Sequence, residues 1–307
     1  MPTFFTRYQA GEHVAVWNDL MALGQDVRHK KHYADAVAVA AETMRRVRHN
    51  VELLIQRLSQ MGYRFVAPSL EDDLEEWRQA MNPRSTGRVA RAVWAGLAGS
   101  AKDNKARREK LAKARAQMEG IVLARCAALE AKLAVASKNS PLDNPDVFCP
   151  PGREVAAQLN KLENLTGGCM PISLRAWYEQ VGAVSLVGAH EVLNPRGCEI
   201  ADPLVVYPLD PALTAESVED AVDDGGRLEY YIAASDRTKA NLLGGGFYSI
   251  MIPNASADAP LENEWRHTTF VDYLRRVFEW GGFPGWERDA NPPRDLIARL
   301  TEGLLSL

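Results

Sequence analysis

Cysteine is scarce and scattered. The 307 residues hold four, Cys126, Cys149, Cys169 and Cys198, and no two of them form a C-x-x-C pair. That usage excludes a disulfide framework and a cysteine-rich zinc site, and it suits a reducing cytoplasm. Long apolar runs are missing as well. Nothing approaches the ~20 consecutive apolar residues of a spanning helix. The opening MPTFFTRYQAGEHVAVW lacks the continuous apolar core of a secretory signal. A cytoplasmic protein without membrane attachment is expected.

Catalytic signatures are equally sparse. The stretch SDRTKANLLGGGFYS, Ser235 to Ser249, sets a hydroxyl, a carboxylate, an amine and an amide ahead of three glycines. A phosphate-cradling loop needs G-x-x-x-x-G-K-[ST] opening a helix, whereas these glycines precede the strand-like FYSIMIP. The dinucleotide fingerprint fails for the same reason. Ser235 and Lys239 are four apart, not three, which excludes the S-x-x-K nucleophile, and no G-x-S-x-G elbow occurs. His29 and His32 share one face near a helix start, without the H-E-x-x-H pattern or a cysteine partner; His190 and His267 stand alone. Asp220, Asp223 and Asp224 lack calcium-loop spacing. No catalytic residue, cofactor or metal is therefore expected.

What the chain does have is patterned charge and patterned hydrophobicity. A formal charge of −4 conceals two opposite stretches. Arg84 to Arg115 carries ten Lys/Arg and two acids; Glu199 to Asp224 carries eight acids and no base. Clustered bases can neutralise phosphates, but only Trp94 interleaves them as an aromatic and no nucleic-acid module surrounds them. A solvated helix face is the expectation there, with nucleic acid disfavoured and an acidic protein surface as the remaining reading.

Apolar residues at Tyr33, Val37, Ala40, Met44, Val47, Val51, Leu54, Leu58 and Met61 alternate in steps of four and three, the seam of a long helix that ends at Gly62. A second seam runs through Leu111, Ala114, Met118, Val122, Cys126, Leu129, Leu133 and Ala136, with Gly120 inside it. The two are expected to form an antiparallel pair within the chain; a homodimer through the first seam is the other reading. PSLEDDLEEWRQAMNP forms a shorter helix between them. The proline-rich SKNSPLDNPDVFCPPGRE marks a domain edge, which divides the chain into a helical region, 1–140, and an α+β domain, 141–307. In the latter, helical REVAAQLNKLENLTGG and PISLRAWYEQVG precede the strands AVSLVG, PLVVYPL, LEYYIAA and FYSIMIP. Helices return in TFVDYLRRVFEWGG and PPRDLIARLTEGLLSL. Strands gathered between helices indicate α+β rather than alternating βαβ.

MPISLRAWYEQVGAVSLVG followed by DPLVVYPL resembles the entry to the SUKH superfamily, which includes fungal cell-wall-synthesis regulators and bacterial toxin-immunity proteins. A proline-led helix bearing an aromatic, Pro171 to Tyr178, turns at Gly182 into the first strand. ASDRTKANLLGGGFYSIMIP and TFVDYLRRVFEWGGFPGW continue the resemblance, which covers Arg153 to Trp286. QVGAV departs from it, because the family's turn carries adjacent glycines. The resemblance implies a mixed, mainly antiparallel sheet flanked by helices, and a binding role rather than a catalytic one.

Two functional readings follow. In the first the chain binds and neutralises a protein partner, a basic toxin, and the acidic run supplies an attracting field; a solubilising loop is the plainer account of that run. In the second, Asp236, Lys239 and Asn241 form an enzymatic or small-ligand site. Asp236 and Asn241 are also residues that brace a turn, and the glycines residues that permit one. For partner anchors the large aromatics Trp177, Trp280 and Trp286 come first, although EWGGFPGW is expected to fold its rings into the core.

Overall fold

The computed structural model describes residues 2–65, 68–80, 82, 87–94, 105–138, 140–195, 198–209 and 226–307. Three helices open the chain: α1 (Phe4–Gln9), α2 (His13–Ala22) and α3 (Lys30–Gln60). Helix α3 has the period its sequence promises. Ala36, Val39, Ala40, Thr43, Met44, Val47, Asn50, Val51, Leu54, Ile55 and Leu58 form its buried stripe, a helical face spaced mainly in threes and fours. The two buried polar members are satisfied. Thr43 Oγ1 donates to the Val39 carbonyl at 2.8 Å, and Asn50 exchanges 2.8 Å bonds with the amide and carbonyl of Leu305.

Next come α4 (Pro68–Gln79), α5 (Arg88–Trp94) and α6 (Lys105–Lys138). After them the chain alternates short strands and helices: β1 (Phe148–Cys149), α7 (Val155–Leu165), α8 (Ile172–Gln180), β2 (Ala183–Ser185), β3 (Val205–Val206), β4 (Leu228–Ala233), α9 (Asp236–Lys239), β5 (Tyr248–Ile252), α10 (Phe270–Glu279) and α11 (Arg294–Thr301). The fold is α+β, as the order of elements in the sequence indicates. Among the described residues, no helix is long and apolar enough to cross a membrane.

The chain forms two compact units, Met1–Tyr63 with Ser140–Leu307, and Arg64–Asn139. The expected division at 140 lies beside one boundary of the smaller unit, and the first three helices fall in the unit that holds the strands. Each of the two long helices packs on neighbours within its own unit. Helix α3 packs on α8, α1 and α11. Periodicity names the face a helix buries, not the neighbour that covers it. Tyr33 and Val37, the first two residues of the expected seam, lie at the exposed margin instead.

In the smaller unit α6 packs on α4. Its core holds Leu74, Ala80, Ala90, Val122, Cys126 and Leu129, with Trp77, Val89, Met118 and Leu133 against it. Gly120 leaves α6 unbroken. The Arg84–Arg115 stretch is only partly within the described residues, and there Arg88 pairs with Glu76 at 3.0 Å.

In the larger unit all described strand pairings are antiparallel: β1–β2, β2–β3 and β4–β5. Beyond β3, the Tyr207 amide donates to the Ile232 carbonyl at 2.7 Å, linking this strand to β4. β1 lies inside the proline-rich segment that reads as linker in the sequence. The helix-to-strand turn before β2 depends on Gly182, whose φ is +93°. A Cβ there would stand 2.1 Å from the Cys149 carbonyl oxygen, so a side chain would push β1 away. The same glycine's carbonyl accepts the Trp177 indole N–H at 2.6 Å, and the Trp177 ring meets Phe270 edge-on at 5.5 Å. Helix α10 is held at its start by the buried Asp258, which accepts from the Val271 amide at 2.9 Å and from Ser173 Oγ. Burial pushes the Asp258 carboxyl above its usual range.

Candidate functional site

Lys239 is the residue of the 235–249 stretch that the sequence leaves without a geometric role. The stretch folds as a capped turn of helix rather than as a plain hairpin. Ser235, extended at φ = −63° and ψ = 160°, is the N-cap, and its Oγ accepts from the Thr238 amide at 3.1 Å.

 One turn later α9 ends at Lys239, and beyond its C-cap Ala240 the chain turns at Asn241, where φ is +62°. Gly244 and Gly245 follow at φ = +93° and +82°, the left-handed angles expected of this loop.

Lys239 points into the unit, whereas its neighbour Thr238 is exposed. Its Nζ lies 2.6 Å from Asp202 Oδ1, and both side chains are 0% exposed. The ammonium also sits 4.5 Å from the centre of the Tyr248 ring. The Tyr248 hydroxyl donates to the other carboxylate oxygen, Asp202 Oδ2, at 3.1 Å. Burial first, and the Asp202 charge second, push the Tyr248 phenol far above its usual range, so it remains a donor. Asp202 itself has φ = +46°. Its segment is held by Gly285, whose amide donates to the Ala201 carbonyl at 3.3 Å. A Cβ on Gly285 would stand 1.6 Å from the Ile200 carbonyl oxygen, so only glycine allows this approach.

Lysine, tyrosine and aspartate together can move protons in an open cleft. Here the Lys239 and Asp202 side chains are sealed, and they tie α9, β5 and the 200–202 segment together. The other two members of the suggested ligand site go elsewhere. Asp236 Oδ2 pairs with Arg288 at 3.3 Å, and Asn241 is exposed. Asp236, Lys239 and Asn241 thus differ in surroundings: an ion pair with Arg288, a buried pair with Asp202, and an exposed position. Asp220, Asp223 and Asp224 lie outside the described residues.

The tryptophans also differ from their suggested role as anchors. Trp177 is buried, and Trp286 is buried with its indole N–H on the Leu193 carbonyl at 2.9 Å. Trp280 is half-buried. The expectation that EWGGFPGW turns its rings inward holds for Phe283 and Trp286.

The exposed aromatic surface lies on the other side of the hairpin. Strand alternation sends Leu228, Tyr230 and Ile232 inward and Glu229 and Tyr231 outward. Tyr231 is 52% exposed and Phe247 42%, and their rings lie 5.5 Å apart. Tyr231 is opposite Ser249, and Ser249 is bridged to Glu262, so the three form one cross-strand row. Glu229 accepts from Ser249 Oγ at 2.8 Å and from the Tyr231 hydroxyl at 3.3 Å. Asn263 Nδ2 donates to the Phe247 carbonyl at 2.9 Å. At the loop tip Leu243 is 93% exposed, while its carbonyl accepts from Arg237 Nε at 2.9 Å. Nearby, Trp265 lies under two arginines, with Arg266 at 4.0 Å and Arg288 at 5.2 Å from its ring centre.

Sequence reasoning passed over Tyr231, Phe247 and Leu243. The alternation of LEYYIAA held the signal for Tyr231, since only one of two adjacent tyrosines can face the core. Comparison with known proteins adds no assignment: no family model, no curated protein and no solved structure matches the chain.

Proposed function

We propose that the protein is a non-catalytic interaction module of the immunity type, acting in the cytoplasm, which binds and neutralises a basic protein toxin. The outer face of β4–β5 and the loop carrying Leu243 form the binding surface. The observation that carries this reading is the exposed pairing of Tyr231 with Phe247 beside a leucine at 93% exposure. Large aromatics and an apolar anchor, placed together in solvent on one hairpin, are the composition of an interface centre.

Three further features support it. The Lys239–Asp202 pair is used within the fold, so it stiffens the hairpin without offering an open reactive group. The SUKH resemblance over Arg153–Trp286 supports a binding role. The acids of the Glu199–Asp224 run other than Glu199 and Asp202, which pair with Arg237 and Lys239, favour a basic partner and speed its encounter.

Co-purification from native cells with the neighbouring genes intact tests the proposal. Tagged wild-type protein should recover one basic protein in stoichiometric amount, and Leu243→Ser with Phe247→Ser should not. Recovery of the chain alone, or equal recovery by wild type and variant, would overturn it.

A further inference from the structure

We infer that the outer face of β4–β5 selects arginine side chains on its protein partner. The inference rests on the interaction reading above and specifies its chemistry. Tyr231 and Phe247 offer two half-exposed ring faces. Two carboxylates stand on the same side. Glu229 is anchored by Ser249, and Glu262 is exposed in the row of Tyr231 and Ser249. Among the described residues, no cation lies on either ring and neither carboxylate has an ion pair.

A planar guanidinium meets both demands at once. It stacks flat on an aromatic ring while its edge donates two parallel hydrogen bonds to a carboxylate. A lysine ammonium has no plane to stack and no fork to match. The molecule already uses this combination a short distance away. Arg266 lies 4.0 Å over Trp265 while its Nε donates to Glu287 at 2.7 Å, and Arg288 lies 5.2 Å from the same ring while pairing with Asp236. At Trp265 the arginines come from the chain itself. At Tyr231 and Phe247 the rings and carboxylates are present and the arginine has to come from elsewhere. The charge of the surface selects the same occupant, because Glu229 and Glu262 leave it acidic while Arg237 is paired with Glu199 at 3.1 Å.

The test uses the purified full-length chain and a short peptide alternating arginine with glycine, alongside its lysine and citrulline counterparts, titrated by calorimetry. The arginine peptide should bind roughly fivefold tighter than the lysine peptide, the increment of one exposed stacked and forked contact. The citrulline peptide, planar but uncharged, should bind more weakly than both. Phe247→Ser and Glu262→Gln should each erase the preference for arginine over lysine, and Val14→Ser, at a distant exposed position, should keep it. Both altered side chains are solvent-exposed, and circular dichroism checks that each variant is folded. Equal affinity for arginine and lysine, or an undiminished preference in both variants, would overturn the inference. Those outcomes leave the interaction reading standing if native co-purification still depends on Leu243 and Phe247; loss of the co-purified protein alone would overturn that reading and not this one.

Discussion

On the inner side of the β4–β5 hairpin, an ammonium and a carboxylate meet at 2.6 Å with both side chains wholly buried. On the outer side, two carboxylates stand beside two half-exposed rings, with no cation among the described residues to answer them. The inner charges hold the fold, and the outer ones have no ion pair among the described residues. A buried pair carries a large desolvation penalty, and its attraction is repaid only when the remaining hydrogen-bonding positions are filled. Tyr248 supplies that closure by donating to the second Asp202 oxygen. On the outer side Glu229 accepts from the Ser249 and Tyr231 hydroxyls, and Glu262 is exposed.

The most damaging way to break this comparison is to leave one inner charge alone. Lys239→Met strands Asp202 in the interior and should cost about 3–5 kcal/mol of stability, read as a lower midpoint in urea denaturation. Adding Asp202→Asn should recover much of that loss, because a neutral pair removes both desolvation penalties. A single variant as stable as wild type would show that the pair is not sealed. Backbone approach comes next in size. Gly285→Ala places its Cβ 1.6 Å from the Ile200 carbonyl oxygen. Shifting the segment that carries Asp202 should cost about 1–3 kcal/mol. Its effect should shrink in the Asp202→Asn, Lys239→Met background, where the segment no longer has to hold a charge in register.

A partly exposed network gives the intermediate case. Glu42 accepts from Arg45 at 2.7 Å and from Arg46 at 2.8 Å. The Arg45 hydrogen bond first, and that from Arg46 after it, hold its carboxyl down at about 2. A depressed value means that the stabilisation is fully present above the ordinary value of 4.5 and is lost as pH falls towards 2. Glu42→Gln should therefore be less stable than wild type at neutral pH, and the two curves should converge as pH falls through that window. Denaturation midpoints at neutral and acidic pH check this. Parallel curves would show that the network contributes nothing.

How much of this was legible in the sequence depends on range. Local signals were read directly: the long helix before Gly62, the proline-led α8, its turn at Gly182, and the strands that carry Val, Ile and Tyr. Relations between distant segments were not. The α3 stripe named the buried face but not α8 as its cover. Lys239 finds Asp202 across 37 positions, a distance at which no spacing rule operates. Trp177 and Trp286 drew attention as large aromatics, yet their N–H groups are satisfied by carbonyls inside the fold. Size marks a residue that something must cover, and only the packing decides whether the cover is the chain itself.

The smallest expected change in stability is also the one that separates the two sides of the hairpin most sharply. Phe247 is 42% exposed and its ring touches Tyr231 outside the core. Phe247→Ser should therefore shift stability by no more than about 0.5 kcal/mol, the range of surface substitutions away from caps and cores. The same change should abolish partner recovery. Lys239→Met should behave in the opposite sense: when the protein is assayed under conditions where it remains folded, it should lose stability and retain binding. If Phe247→Ser instead destabilises the chain as much as Lys239→Met, the ring belongs to the core of the hairpin. The outer face would then be part of the fold and not a surface held ready for another molecule.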